Sequence, residues 1–241
     1  MGAIKAAIGD ALFTFVWMIC VSTLGAFTSI ISSTFQLEGV AASLAIMTIF
    51  LAVIIFVFNI ISEALGGASF NPTGNTAFYA AGVGGDSLFS MAIRFPAQTV
   101  GAVGGVLAIL EIMPQQYKHT LMAPSLKVDL HSGAIAEGVL TFLISFAVLW
   151  IMIKGPRSSI IKTLMLSVAT VAVIVAGSGY TGPSMNPANA YGWAYINKRH
   201  NTWEQFYVYW ICPFLGSILA AWVFRILFPL PSPKTKKAKK A

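Results

Sequence analysis

One short polar device occurs twice in this chain, each time among long apolar runs. Asn71-Pro72-Thr73 follows Gly67-Ala68-Ser69-Phe70, and Asn186-Pro187-Ala188 follows Gly182-Pro183-Ser184-Met185, so the shared frame is Gly, any residue, Ser and a large apolar residue. An Asn carboxamide and a helix-starting Pro are costly in apolar surroundings unless they face each other or water. A single Asn-Pro reads as a cap in a surface loop. A duplicate with the same frame, set symmetrically among apolar runs, favours two polar segments built to meet. Glycosylation of Asn71 is excluded because Pro72 occupies the middle position.

The apolar runs define the class. Hydrophobic residues make up 57% of the 241 positions and charged residues 10%, far from an ordinary soluble domain. Six stretches reach the length of about 20 residues that crosses a hydrocarbon core as a helix, at roughly 10–31, 41–62, 92–113, 133–153, 160–179 and 205–228. The first is too long for a secretory signal core and is read as a retained anchor. Five of the fifteen basic residues lie in the last eight positions, and without them ten basic face eight acidic. The chain is thus nearly balanced with a basic tail, and a nucleic-acid surface is not implied. Six spans place both termini on one side, with Lys5, Arg94, Lys154, Arg157, Lys162, Arg225 and the tail. Lys118, Lys127, Lys198 and Arg199 fall on the other. That bias orients the termini toward the cytosol.

Cys20 and Cys212 lie within predicted spans and give no disulfide framework, and His119, His131 and His200 are scattered without ligand-like spacing. No metal site, cofactor or enzyme chemistry is expected, since no nucleophile, paired carboxylate or phosphate loop is present.

The repeat extends beyond the tripeptides. Asp10 is followed by Thr14 and Phe15, and Glu137 by Thr141 and Phe142; Gly101 and Gly105 match Gly216 and Ala220. Asn71 to Gly101 and Asn186 to Gly216 are both 30 residues, whereas Asp10 to Asn71 is 61 and Glu137 to Asn186 is 49. The extra twelve predict a longer connection near Ser29–Val40. Three spans per half invert the second half relative to the first. Each tripeptide opens a segment, Asn71–Ala80 and Asn186–Ile196, too short to span and suited to a re-entrant half-helix with Asn as N-cap and Pro in the first turn. Two such N-termini meeting at mid-membrane carry about half a positive charge each. Cations are disfavoured there, and the Asn71 and Asn186 amides offer donors to a neutral oxygen-bearing solute. Water held that way interrupts a proton wire.

With these residues the chain resembles the aquaporin, or major intrinsic protein, family over nearly its whole length. Tyr180-Thr181-Gly182, Ala97-Gln98 before Gly101, and Trp210 with Pro213 before Gly216 add to the likeness. Thr73 in place of Ala, the short N-terminus and the Lys-rich tail resemble the plant small basic intrinsic proteins of the first subtype. The resemblance implies an all-α membrane protein with six transmembrane helices and two re-entrant half-helices. It implies one channel domain over 1–241, with inverted repeats of about 1–120 and 121–228 and a basic cytosolic tail at 229–241. It further implies a homotetramer passing water across the endoplasmic reticulum membrane. Carried over by distance, the family's constriction falls on Leu51, Ile174, Pro183 and Asn189, where a typical member has an aromatic at the first and Arg at the last. Loss of a guanidinium removes donors and a positive barrier, so another small neutral solute such as ammonia, hydrogen peroxide or glycerol is an alternative. A non-conducting membrane scaffold is another.

The resemblance also suggests that Asp10 and Glu137 anchor loop backbone beside the pore, where a lone acid otherwise snorkels to water. Thr73 is expected to satisfy a local carbonyl as a tolerated change. Glu63 reads equally as solvated or anchoring. Lys237 and Lys239, third and fifth from the end, resemble a dilysine retrieval signal; a plain polybasic tail would bind anionic lipid. A secondary transporter is disfavoured because the midplane offers amides rather than ion-coordinating charges.

Overall fold

The computed structural model describes residues 2–229 and is all helical among them. The first span is α1 (Ala3–Ser22) continued by α2 (Leu24–Thr34), with a break at Thr23, whose hydroxyl donates to the Cys20 carbonyl at 2.7 Å. Then come α3 (Val40–Ala64), the short α4 (Pro72–Ala81), α5 (Leu88–Ile112), α6 (Leu130–Ile153), α7 (Ser159–Gly177) and the short α8 (Pro187–Ile196). The last span starts with α9 (Trp203–Phe206), passes through a π-helical turn at Tyr207–Ile211 and continues as α10 (Cys212–Leu227). Among the described residues, six helical stretches are long and apolar enough to cross a membrane.

Local sequence sets the boundaries. Ser87 and Ser90 form a reciprocal capping box at the start of α5, Asp129 caps α6 through the His131 and Ser132 amides, and Ser158 caps α7. Gly82, at φ +77°, stops α4 with a left-handed residue.

The expected longer connection in the first half is not found. Residues 35–39 and 154–158 join the first and second spans of the two halves and are equal in length. The additional residues lie in the helices: the first span covers 32 residues against 24 for α6, and α3 covers 25 against 19 for α7. The first span starts at Ala3 rather than near Asp10 because Asp10 is fully buried and paired instead of sitting at a wet helix end.

The duplicated glycines bring the spans into register. A Cβ on Gly101 would collide with the Ala11 carbonyl, and one on Gly216 with the Gly138 carbonyl. Ala11 follows Asp10 and Gly138 follows Glu137, so each acid lies beside a close α1–α5 or α6–α10 crossing. The half-helices are exchanged, α4 packing against α10 and α8 against α5. Each therefore leans on a span of the other half.

Candidate functional site

Asn71 and Asn186 are the N-caps of α4 and α8, each followed by Pro in the first turn. The Asn71 side-chain oxygen accepts the Thr73 N–H at 3.0 Å. That of Asn186 accepts the Ala188 and Asn189 N–H groups at 3.1 and 3.3 Å. Each amide nitrogen reaches across: Asn71 Nδ2 donates to the Met185 carbonyl at 3.2 Å, and Asn186 Nδ2 donates to the Phe70 carbonyl at 3.0 Å. The two half-helices thus abut N-terminus to N-terminus through reciprocal bonds between residues more than 110 positions apart. A carboxamide nitrogen has two hydrogens. One on each is used by the opposite carbonyl, which leaves one on each for a further acceptor.

The residues before the tripeptides are held by different means. Phe70 stacks on Trp17 with ring centroids 3.7 Å apart, inside a group that includes Phe13 and Phe58. Phe13 and Trp17 are core residues. Met185 packs with Leu140, Val173 and Ile174 and lies at φ +51°, a left-handed conformation that costs about 1–3 kcal/mol for such a residue. Its N–H is fixed by Glu137 Oε2 at 3.0 Å.

Both acids are fully buried. Glu137 accepts the Thr181 hydroxyl and the Ser184 N–H on Oε1, each at 2.9 Å, besides the Met185 N–H. Asp10 accepts the Ser69 N–H at 2.8 Å, the Gln98 amide at 2.7 Å, and a bidentate contact from Arg94 at 2.7 and 2.8 Å. Arg94 also donates to both oxygens of Asp86 and to the Gly67 carbonyl at 2.9 Å, so all five of its N–H groups are used. Asn75 links Asp86 and Gln98. Partial burial works to raise the Asp86 carboxyl, but hydrogen bonds from Asn75, Arg94 and Ser90, together with the Arg94 charge, outweigh it and hold it below its ordinary value.

Sequence reasoning missed this cluster. Arg94, counted from the sequence among the charges on the side of the termini, is buried in the structure between two aspartates. An Arg placed four residues before Gln98 inside an apolar span was the available signal. Glu63 is exposed.

Thr73 also departs from expectation. Its hydroxyl, 1% exposed as a residue, lies 2.8 Å from the neighbouring Asn71 side-chain carbonyl and also 2.9 Å from the Met185 carbonyl of the other half, rather than on a local backbone carbonyl. Of the four residues assigned to the constriction, Leu51 is buried in a cluster with Val171 and Ala188, and Ile174 packs beside Met185. Pro183 is partly buried and lies against Gly177. Asn189 is partly buried, and its side-chain oxygen has no hydrogen-bond partner among the described residues. Lys237 and Lys239 lie outside the described residues.

Two short helices capped by Asn and inserted head to head from opposite directions define a membrane channel built from an inverted repeat. The Major intrinsic protein family model matches residues 1–224, and the chain belongs to that family. Aquaporin SIP1-2 of Zea mays is 63% identical over 238 residues, 98% of each chain. Aquaporin SIP1-1 of Oryza sativa subsp. japonica is 61% identical over 245 residues, covering 100% of this chain and 99% of the relative. Aquaporin SIP1-1 of Arabidopsis thaliana is 53% identical over 242 residues, covering both chains fully. The X-ray structure of the aquaglyceroporin from Plasmodium falciparum superposes with a TM-score of 0.69 over 95% of this chain and 98% of that one at 17% identity, a likeness of fold. The chain is therefore similar to plant small basic intrinsic proteins of the first subtype. It is a passive multi-pass membrane channel and not an enzyme.

Proposed function

We propose that this channel carries water, one pathway per subunit, across the endoplasmic reticulum membrane with both termini in the cytosol. The observation that carries the reading is the reciprocal pairing of Asn71 and Asn186 across the half-helix joint. It leaves one amide donor on each side and two helix N-termini of about half a positive charge each. Such a point favours a neutral solute that presents oxygen and disfavours cations. The aquaporin names of the relatives support water as that solute. In this reading Asn71-Pro72-Thr73 and Asn186-Pro187-Ala188 form the joint, and Asp10 and Glu137 hold the loops that deliver it. Leu51, Ile174, Pro183 and Asn189 form the constriction. Homotetramer assembly and retrieval through Lys237 and Lys239 belong to the same proposal.

A second solute class is favoured by Asn189. Its unpartnered side-chain oxygen is an acceptor where a guanidinium would present only donors. Without a guanidinium's positive barrier and several donors at that position, ammonia, hydrogen peroxide or glycerol stands beside water as a candidate solute.

Stopped-flow light scattering on proteoliposomes tests both readings, with osmotic water flux measured first and each osmolyte following. Water flux well above that of empty vesicles is expected, and Asn189→Arg should lower the flux of the other solutes more than that of water. Flux equal to that of empty vesicles, with correct insertion verified, would favour a scaffold instead. Relocation of the chain to the cell surface on changing Lys237 and Lys239 to Ser tests the retrieval signal.

A further inference from the structure

We propose that Thr73 is a positioning residue. Its hydroxyl braces the two half-helices and fixes the Asn71 carboxamide so that the free amide hydrogen stays turned to the passage. The inference rests on the channel reading above.

The two halves fix their Asn side chains differently. Asn186 Oδ1 receives two backbone N–H groups of its own helix, from Ala188 and Asn189. Asn71 Oδ1 receives one backbone N–H, from Thr73, and its second neighbour is the Thr73 hydroxyl at 2.8 Å. The hydroxyl therefore stands where the second half has a main-chain donor. At the corresponding position the second half has Ala188, fully buried and without a polar side chain.

The same hydroxyl lies 2.9 Å from the Met185 carbonyl, which also accepts Asn71 Nδ2. Its single proton is shared between two acceptors, and both belong to the joint. The Asn71 carboxamide, the Thr73 hydroxyl and the Met185 carbonyl form one closed group, so rotation of the carboxamide breaks contacts at both of its ends. Thr73 itself is sealed from the surface. Its effect on transport is thus exerted through Asn71 and Met185 and not by touching solute.

The test compares Thr73→Val, which keeps the shape and removes the hydroxyl, with Thr73→Ser, which keeps the hydroxyl. Flux per inserted channel is read by stopped flow. Thr73→Val is expected to lower water flux roughly fivefold, the population change that loss of one net hydrogen bond allows. Thr73→Ser should restore it, a rescue that mere filling of space would not give. Thr73→Ala, which introduces no new bulk, reads the same contrast if the Val variant fails to insert. Wild-type flux in Thr73→Val or Thr73→Ala would overturn the brace.

A wild type that conducts no better than empty vesicles would instead overturn the water reading. Hydrogen–deuterium exchange over residues 70–76 then decides the brace by itself, because it reads the joint whatever passes through it. Faster exchange in Thr73→Val than in wild type and Thr73→Ser is expected, and equal rates would overturn the brace.

Discussion

The two loops that deliver the half-helices are anchored from equivalent places by different chemistry. Glu137 reaches two loop amides, those of Ser184 and Met185, and takes the Thr181 hydroxyl as a third donor, all of them neutral. Asp10, shorter by one methylene, takes a single loop amide, that of Ser69. The reach that is missing in the first half is supplied by Arg94, which grips Asp10 in two places and holds the loop through the Gly67 carbonyl. Arg94 lies 23 residues after Asn71, and the residue 23 after Asn186 is Tyr209. Tyr209 performs the neutral version of the same act, its hydroxyl donating to the Thr181 carbonyl at 3.1 Å. One scaffold position thus carries a loop-holding donor in both halves, charged where the acid is short and neutral where it is long. The π-helical turn at Tyr207–Ile211 contains that tyrosine, in keeping with the frequent placement of such turns at working positions.

The charged anchor should be the more fragile when cut. Arg94→Met leaves Asp10 buried without its cation, and removal of one partner from a buried pair typically costs about 3–5 kcal/mol. Thermal unfolding in detergent should show that loss, with much of it recovered in the double variant Asp10→Asn, Arg94→Gln, where no charge remains unpaired. A cost for Arg94→Met no larger than that of cutting the neutral anchor would break the comparison.

Glu137→Gln is expected to cost less, about 1–3 kcal/mol, because one carboxylate oxygen becomes an amide that faces a donor, Ser184 or Met185 N–H. Met185 needs that bond to hold its left-handed backbone. Water flux should therefore fall along with stability, and a stable Glu137→Gln channel with unchanged flux would separate anchoring from transport. Tyr209→Phe removes one hydrogen bond and keeps the ring, so a loss near 1 kcal/mol is expected in the same unfolding measurement. It is the direct counterpart of cutting Arg94 from Gly67, on a much smaller scale.

The fold was readable because its signals repeat. Apolar length gave six spans, paired tripeptides at equal distances from paired glycines gave the repeat, since a close backbone approach leaves glycine or alanine as its trace, and three spans per half gave the inversion. The joint was readable for the same reason: Asn followed by Pro is an N-cap signal wherever it occurs. What could not be read were the contacts that break the symmetry. Arg94, Asp86 and Asn75 have no duplicate in the second half, and an Arg next to an apolar run reads as a charge at the membrane face until its partners are seen. The Thr73 bond joins residues 112 positions apart, and Thr in place of Ala in a short motif does not announce a hydroxyl aimed at the opposite loop. The helix extension past Ile31 was hidden by the serines and threonines there, which resemble a loop but continue α2 to Thr34.

Asp86 is the outermost member of the charged anchor, and its loss should have the smallest effect. It is partly exposed and bonds Arg94, Asn75 and Ser90. Solvent screens such a pair, so Asp86→Asn should cost about 1 kcal/mol or less. Burial works to raise its carboxyl, and the hydrogen bonds with the Arg94 charge more than offset this, leaving it below the ordinary carboxylate value in the folded chain. A group held lower in the folded state than in the unfolded one contributes stability above its unfolded value, near pH 4 for Asp. That contribution disappears as pH falls through the folded value. Melting of the wild type should therefore shift downward below about pH 4. The shift should be smaller in Asp86→Asn, which has no proton to take up at that position. Identical acid profiles for the two proteins would remove Asp86 from the anchor and leave Arg94 held by Asp10 and Gly67 alone.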